Sequence, residues 1–310
     1  MRPSHLLPAL LVVALPLGAH ARHRLAPDPA STQKIHKVEK VGENVYCIFG
    51  QGGNIGLIVT DKHAVLIDDQ FERLVPGLLE AVKSITDKPI NYLINTHAHP
   101  DHVGGNVVLD KQVTAIVAHA NVRKRMMTEQ AKLEPAKRGG LPELALGEED
   151  SLIKARLDIH LDGTDIHLVH YGPGHTDGDI LVGVPSALVI HMGDTFFLGM
   201  LPFIDTEGGG SFDGLVAQIG TVASWLPEAA KIIPGHGPVC GKKELLRYRD
   251  FLKAVQAHAK THAAKSPKEM ADTFATGPWE TDWKPNPQFV TWETFFEAAA
   301  GKGPGRVVKP

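Results

Sequence analysis

At 310 residues the chain is long enough for one large α/β domain or two small ones. Its 43% hydrophobic and 22% charged residues are ordinary for a globular protein with a full core, which excludes a disordered or fibrous chain. A formal net charge of −3 offers no basic surface, so neither nucleic acid nor an anionic membrane surface is expected as a partner.

Arg2 and His5 precede an apolar run from Leu6 to Leu17, and Ala19-His20-Ala21 then has the small-x-small form of a cleavage site. Residues 1–21 read as a signal peptide, because the run is too short for a membrane span. The mature chain is then periplasmic or secreted, soluble, and not membrane-attached after cleavage. Residues 22–37 are polar and contain proline, which suits a loose leader. Cys47 and Cys240 are no disulfide framework; they are either one long-range pair or two buried thiols.

Strands and turns follow. Val45–Phe49, Ile55–Thr60 and Ala64–Asp68 read as strands, with a Gly-rich turn over Gly50–Asn54. From Glu72 to Ile85, Leu74, Leu78, Val82 and Ile85 recur at helical spacing. Ile90–Asn95 is the next strand, Val113–Ala118 another, and Ala120–Glu129 a helix. Residues 130–150 are polar and punctuated by Gly and Pro, a lid over a site or a solvated loop. A second strand-rich stretch covers Ala155–Leu161, Thr164–Tyr171, Ile180–Val184 and Ala187–His191. Ser211 can cap a helix whose Leu215, Ile219, Val222 and Leu226 share a face. Lys231–Ile233 is a last short strand, Lys242–Ala264 a long helix and Thr291–Ala300 a final one. This order predicts a layered α/β fold with one main domain over 38–265 and a C-terminal helical extension, 266–310, packed on it.

The chemistry concentrates in Thr96-His97-Ala98-His99-Pro100-Asp101-His102, directly after the apolar run Ile90–Ile94. Imidazole and carboxylate at this density suit a borderline divalent metal, zinc first. Being two apart, His97 and His99 point to the same side at a strand end. Asp101 and His102 face either a second metal or the far side of the first. Three further residues follow strands within Gly-flanked turns: His175 in Gly172-Pro173-Gly174-His175, Asp194 in Gly193-Asp194-Thr195, and His236 in Pro234-Gly235-His236-Gly237. Glycine there lets backbone pack close to a buried site. A structural zinc site closes with four ligands, usually including Cys. A larger Cys-free set suits two metals sharing a carboxylate, with coordination left over for water.

The set His97-x-His99-x-Asp101-His102, His175, Asp194 and His236 resembles the metallo-β-lactamase superfamily over roughly residues 38–260. The resemblance implies a four-layer αββα sandwich. It also implies His97, His99 and His175 on a first metal, Asp101, His102 and His236 on a second, and Asp194 bridging. Asp68, in Leu66-Ile67-Asp68, matches the family's strand-end Asp that orients the site from outside the ligand set. The expected cofactor is two zinc ions, with iron or manganese as the other candidates.

The expected activity is hydrolysis of an ester, lactone or amide bond, β-lactams included, in a small-molecule substrate by a metal-bridging hydroxide. Asp101 is the expected catalytic residue, orienting water and carrying its proton. Asp194 stands where common zinc lactamases carry Cys or Ser, and no Lys follows it to anchor a lactam carboxylate. Pro202–Asp205 with Gly208-Gly209-Gly210 is similar to exported members associated with sulfur-oxidation or quinoprotein systems. Three alternatives stand beside this reading: a thioesterase of the glyoxalase II type, a diiron redox protein, and a non-catalytic metal-binding relay.

Overall fold

Residues 35–147 and 154–301 are described by a computed structural model. The readings of 1–21 as a signal peptide and of most of 22–37 as a leader lie outside the described residues. The first sheet runs β1 (Lys37–Gly42), β2 (Val45–Phe49), β3 (Ile55–Val59), β4 (Ala64–Ile67), β5 (Ile90–Ile94), β6 (Ala115–His119) and β7 (Leu144–Leu146) in spatial order. β1 to β4 pair antiparallel, and β4 to β7 pair parallel. Helix α1 (Val75–Lys83) makes the crossover from β4 to β5. Short α2 (Pro100–Val103) and α3 (Asn106–Leu109) follow β5, and α4 (Ala120–Gln130) follows β6.

The second sheet contains β8 (Ala155–Leu161), β9 (Thr164–His170), β10 (Leu181–Val184), β11 (Val189–Phe197), β13 (Lys231–His236) and β14 (Cys240–Gly241). Its pairing is antiparallel except for β11 with β13. The remaining strands, β12 (Gly199–Met200) and β15 (Trp283–Lys284), pair parallel with each other. The other helices are α5 (Phe212–Trp225), α6 (Lys242–Thr261), α7 (Pro267–Thr273) and α8 (Trp292–Ala299).

Side-chain alternation makes the layers. In β4, Val65 and Ile67 join Ile166, Leu168 and Val182 of the second sheet in the apolar space between the sheets. Ala64 and Leu66 point the other way and pack with Leu78 and Val82 of α1. In the second sheet, Ile233 faces inward while Ile232 joins Leu215, Ile219, Tyr248 and Leu252 of α5 and α6. The result is the αββα order that the resemblance implies. Residues of the C-terminal segment, among them Trp283, Val290, Phe295 and Phe296, bury into the same cluster as α5 and α6. Trp283 is clamped there by stacking on Phe251 at 4.7 Å and by its Nε1 donating to the Phe197 carbonyl at 2.9 Å.

Some elements differ from the sequence reading. The 130–150 stretch is not all loop, because Leu144–Leu146 adds an edge strand in which only Leu146 is buried. One buried side chain leaves no periodic pattern to read. The strand expected over Ala187–His191 starts at Val189 and runs on to Phe197, so Asp194 lies inside it rather than after it. All nine residues are buried, and a strand covered on both faces shows no alternation. Cys47 and Cys240 are both free thiols.

Candidate metal centre

Strand ends and the loops after them build the centre. β5 delivers His97 and His99, and α2 carries Asp101 and His102. His175 lies in the β9–β10 loop, Asp194 in β11, and His236 closes β13. Two glycines let backbone approach: a β-carbon at Gly53 would overlap the His102 ring, and one at Gly235 would overlap Asp194 Oδ1.

All seven predicted side chains come together, in two groups. In the first, His99 Nδ1 lies 3.0 Å from His97 Nε2 and 2.9 Å from His175 Nε2. Asp194 Oδ2 completes it, 3.7 Å from His97 Nε2 and 3.5 Å from His175 Nε2. In the second, Asp101 Oδ2 lies 3.7 Å from His102 Nε2 and 3.4 Å from His236 Nε2. Asp194 also reaches this group, with Oδ1 at 3.1 Å from His102 Nε2 and Oδ2 at 3.4 Å from His236 Nε2. One carboxylate therefore faces both sets of donors.

The opposite ring nitrogens are tied outward, and these ties set the tautomers. His175 Nδ1 donates to the Phe203 carbonyl at 2.7 Å, which leaves Nε2 with its lone pair facing inward. His99 Nε2 donates to Asp205 Oδ2 at 3.0 Å and turns Nδ1 inward. His102 Nδ1 donates to Asp68 Oδ2 at 2.7 Å. Thr96 Oγ1 donates to that same oxygen at 2.7 Å and lies 3.0 Å from His97 Nδ1. Asp68 is fully buried and holds a left-handed backbone, φ 62°, a strain of the kind functional sites retain.

Electrostatics divide the ligands. Burial, reinforced for His97 by His102, keeps His97 well below the usual imidazole range and lowers His175 to about 4. Both therefore present neutral donor nitrogens at neutral pH. Burial works against charge on His236 as well, but Asp194 and Asp101 outweigh it and raise it to about 9. Asp194 is held well below the carboxylate range despite its burial, chiefly by His102 and His236.

This donor set fits divalent metal. His102 Nε2 and Asp194 Oδ1 are buried and face each other at 3.1 Å without forming a well-directed hydrogen bond. With Nδ1 donating to Asp68, Nε2 presents a lone pair to a carboxylate oxygen, and two buried acceptors so placed are costly unless a cation receives both. The inward nitrogens at 2.9–3.0 Å lie close to the edge of a tetrahedron with zinc–nitrogen bonds of about 2.0 Å. Imidazole and carboxylate without thiolate admit zinc, iron and manganese alike.

Sequence reasoning missed three outer partners. Thr96 stands inside the motif without a visible role; Asp205 and the Phe203 carbonyl reach the centre from more than 100 and 28 residues away. A cavity of about 400 Å3 opens over the centre. His99, Asp101, Asp194 and His236 contribute to it, with Met200, Phe203 and Phe289 as apolar wall. None of the described residues of 130–150 lines it. Phe196 is core, and Phe197 is buried with its ring stacked on His236 at 5.1 Å.

Comparison with known proteins matches residues 48–236 to the Metallo-beta-lactamase superfamily. Hydroxyacylglutathione hydrolase GloC of Haemophilus influenzae is 31% identical over 188 residues, 59% of this chain and 85% of that protein. Metallo-beta-lactamase type 2 of Bacillus sp. (strain 170) is 26% identical over 200 residues, 64% of this chain and 72% of that protein. Among solved structures, the metallo-beta-lactamase from Pontibacter korlensis superposes with a TM-score of 0.57 at 19% identity, over 70% of this chain and 99% of that one. The structural match speaks for the fold alone.

Proposed function

The chain belongs to the metallo-beta-lactamase superfamily and is a metal-dependent hydrolase, and from that premise we propose an exported enzyme with two zinc ions that cleaves an ester, thioester, lactone or amide bond of a small molecule. The observation that carries this reading is the pair of donor groups sharing Asp194. His97, His99 and His175 would hold one ion, and Asp101, His102 and His236 the other, with Asp194 between them. Bound there, two such ions supply a water acidic enough to ionise near neutral pH and a Lewis acid for the scissile carbonyl.

The chain's own residues do the rest. Asp68, Thr96, Asp205 and the Phe203 carbonyl fix the ring orientations of His97, His99, His102 and His175, so these four inward nitrogens are set before substrate arrives. Asp101 faces the cavity and is held at about 2 against its burial by His102 and His236. As a carboxylate at the cavity floor it orients the attacking water by accepting its hydrogen bond and passes a proton to the leaving group. Export rests on the apolar run Leu6–Leu17 and the Ala19-His20-Ala21 site.

Protein purified without added metal and analysed for bound elements tests the centre: about two zinc per chain is expected, falling to fewer than one in Asp194→Ala. Iron with visible absorbance overturns zinc and favours the diiron redox alternative. A panel of β-lactams, lactones, thioesters and aryl esters then tests turnover. Failure of the metal-loaded protein on every class leaves the binding relay as the better reading.

A further inference from the structure

One wall of the cavity comes from outside the matched family region. Phe289 lies beyond residue 236 and packs against Phe203 with ring centroids 5.7 Å apart. Phe203 in turn sits 5.9 Å from the rings of both His99 and His175, so the aromatic surface begins beside the ligands. Both phenylalanines are half-buried, with their backs on the large core cluster. Phe289 is fixed in place: its amide donates to the Asn286 carbonyl at 2.8 Å, and the Asn286 amide donates to the carbonyl of buried Val290 at 2.8 Å. Met200 adds a thioether to the same wall.

No lysine or arginine lines the cavity among the described residues. Its titratable wall groups, His99, Asp101, Asp194 and His236, all belong to the metal centre rather than to the Phe203–Phe289 side. A carboxylate set against the Phe203–Phe289 wall, away from the metal centre, would lose its hydration against phenylalanine and methionine, where no lysine or arginine stands to replace it. An uncharged ring set there gains apolar burial and edge or offset stacking.

We propose that Phe203 and Phe289 form an acyl subsite for neutral substrates with an aromatic or bulky apolar acyl group, and that substrates with a distal carboxylate are handled poorly. This deepens, and rests on, the hydrolase reading above.

Two measurements on the metal-loaded full chain test it. In ligand-observed NMR titration, phenylacetamide binds at least tenfold more tightly than succinamate. Phe289→Ala weakens phenylacetamide binding roughly tenfold, and Phe289→Leu restores part of it, since it returns apolar area without the ring. In turnover, kcat/KM for 4-nitrophenyl phenylacetate exceeds that for 4-nitrophenyl hemisuccinate at least tenfold, and Phe289→Ala narrows the ratio. Equal affinities, no phenylacetamide binding, or wild-type affinity in a folded Phe289→Ala protein overturns the subsite. Absence of all ester turnover fails the hydrolase reading instead, and the titration still decides the subsite.

Discussion

Asp68 Oδ2 accepts from His102 Nδ1 at 2.7 Å and from Thr96 Oγ1 at the same distance, and Thr96 Oγ1 is itself 3.0 Å from His97 Nδ1. One buried carboxylate thus orients a histidine in each of the two donor groups. Asp68 Oδ1 accepts from the Thr96 amide at 2.7 Å, so Asp68→Asn, which keeps the volume but has only one acceptor oxygen, must give up either that bond or both bonds at Oδ2. Metal affinity is expected to fall about 10–100-fold, the range seen for outer partners of metal-bound histidines. Zinc titration against a chromophoric chelator checks this, and unchanged affinity would show that Asp68 is merely structural.

Gly53 is pressed against the ring of His102, and its amide donates to the Asp101 carbonyl at 3.2 Å. Both neighbours are backbone-anchored or buried, so neither can step aside for a methyl group. Gly53→Ala is expected to cost about 1–3 kcal/mol of stability by overpacking and to lower metal occupancy at the same time. Thermal melts of the chelated and loaded forms measure both. The loaded form should lose more, because the displaced ring belongs to the centre.

A pH effect is expected away from the metal centre. His119 stacks on His170 at 4.1 Å, accepts from the Asn121 amide through Nδ1 and is lowered to about 4, first by burial and then by His170. Unfolded, it titrates near 6.5. The folded state therefore keeps it neutral while the unfolded state takes a proton between pH 6.5 and 4. Its contribution is whole above 6.5 and is lost as pH falls toward 4. Urea melts of chelated protein should show a smaller acid slope in His119→Asn, which retains an acceptor for the helix cap. An identical slope would discard the assignment.

The thiols should be quiet. Burial, with Glu244 beside it, pushes Cys240 up to about 12, and burial raises Cys47 further. Thiolate is the reactive form. Iodoacetamide at pH 8 is therefore expected to label neither cysteine in the native protein within minutes and both in denaturant, as read by mass spectrometry. A native mass that includes a disulfide would contradict the free thiols.

Much of the fold was legible because alternation and helical spacing are local. Leu74, Leu78 and Val82 mark α1 and its approach, and Leu215, Ile219 and Val222 mark the buried face of α5. β7 and the length of β11 were not legible. One buries a single side chain and the other is buried on both faces, so neither carries a period.

The sequence by itself determined the donor chemistry. His97, His99, Asp101 and His102 sit at fixed short spacings beyond a strand, and glycines flank His175, Asp194 and His236. Those constraints lie along the chain, where spacing dictates direction. Only the tertiary structure decided that Asp194, inside a strand, faces both donor groups, and that Asp205 and a backbone carbonyl of residue 203 orient two of the histidines. It alone brought Phe289 to the cavity wall. A carbonyl has no residue type, and contacts such as Asp205 to His99 across 106 residues leave no periodicity, so the packing of the second sheet and its helices had to place them.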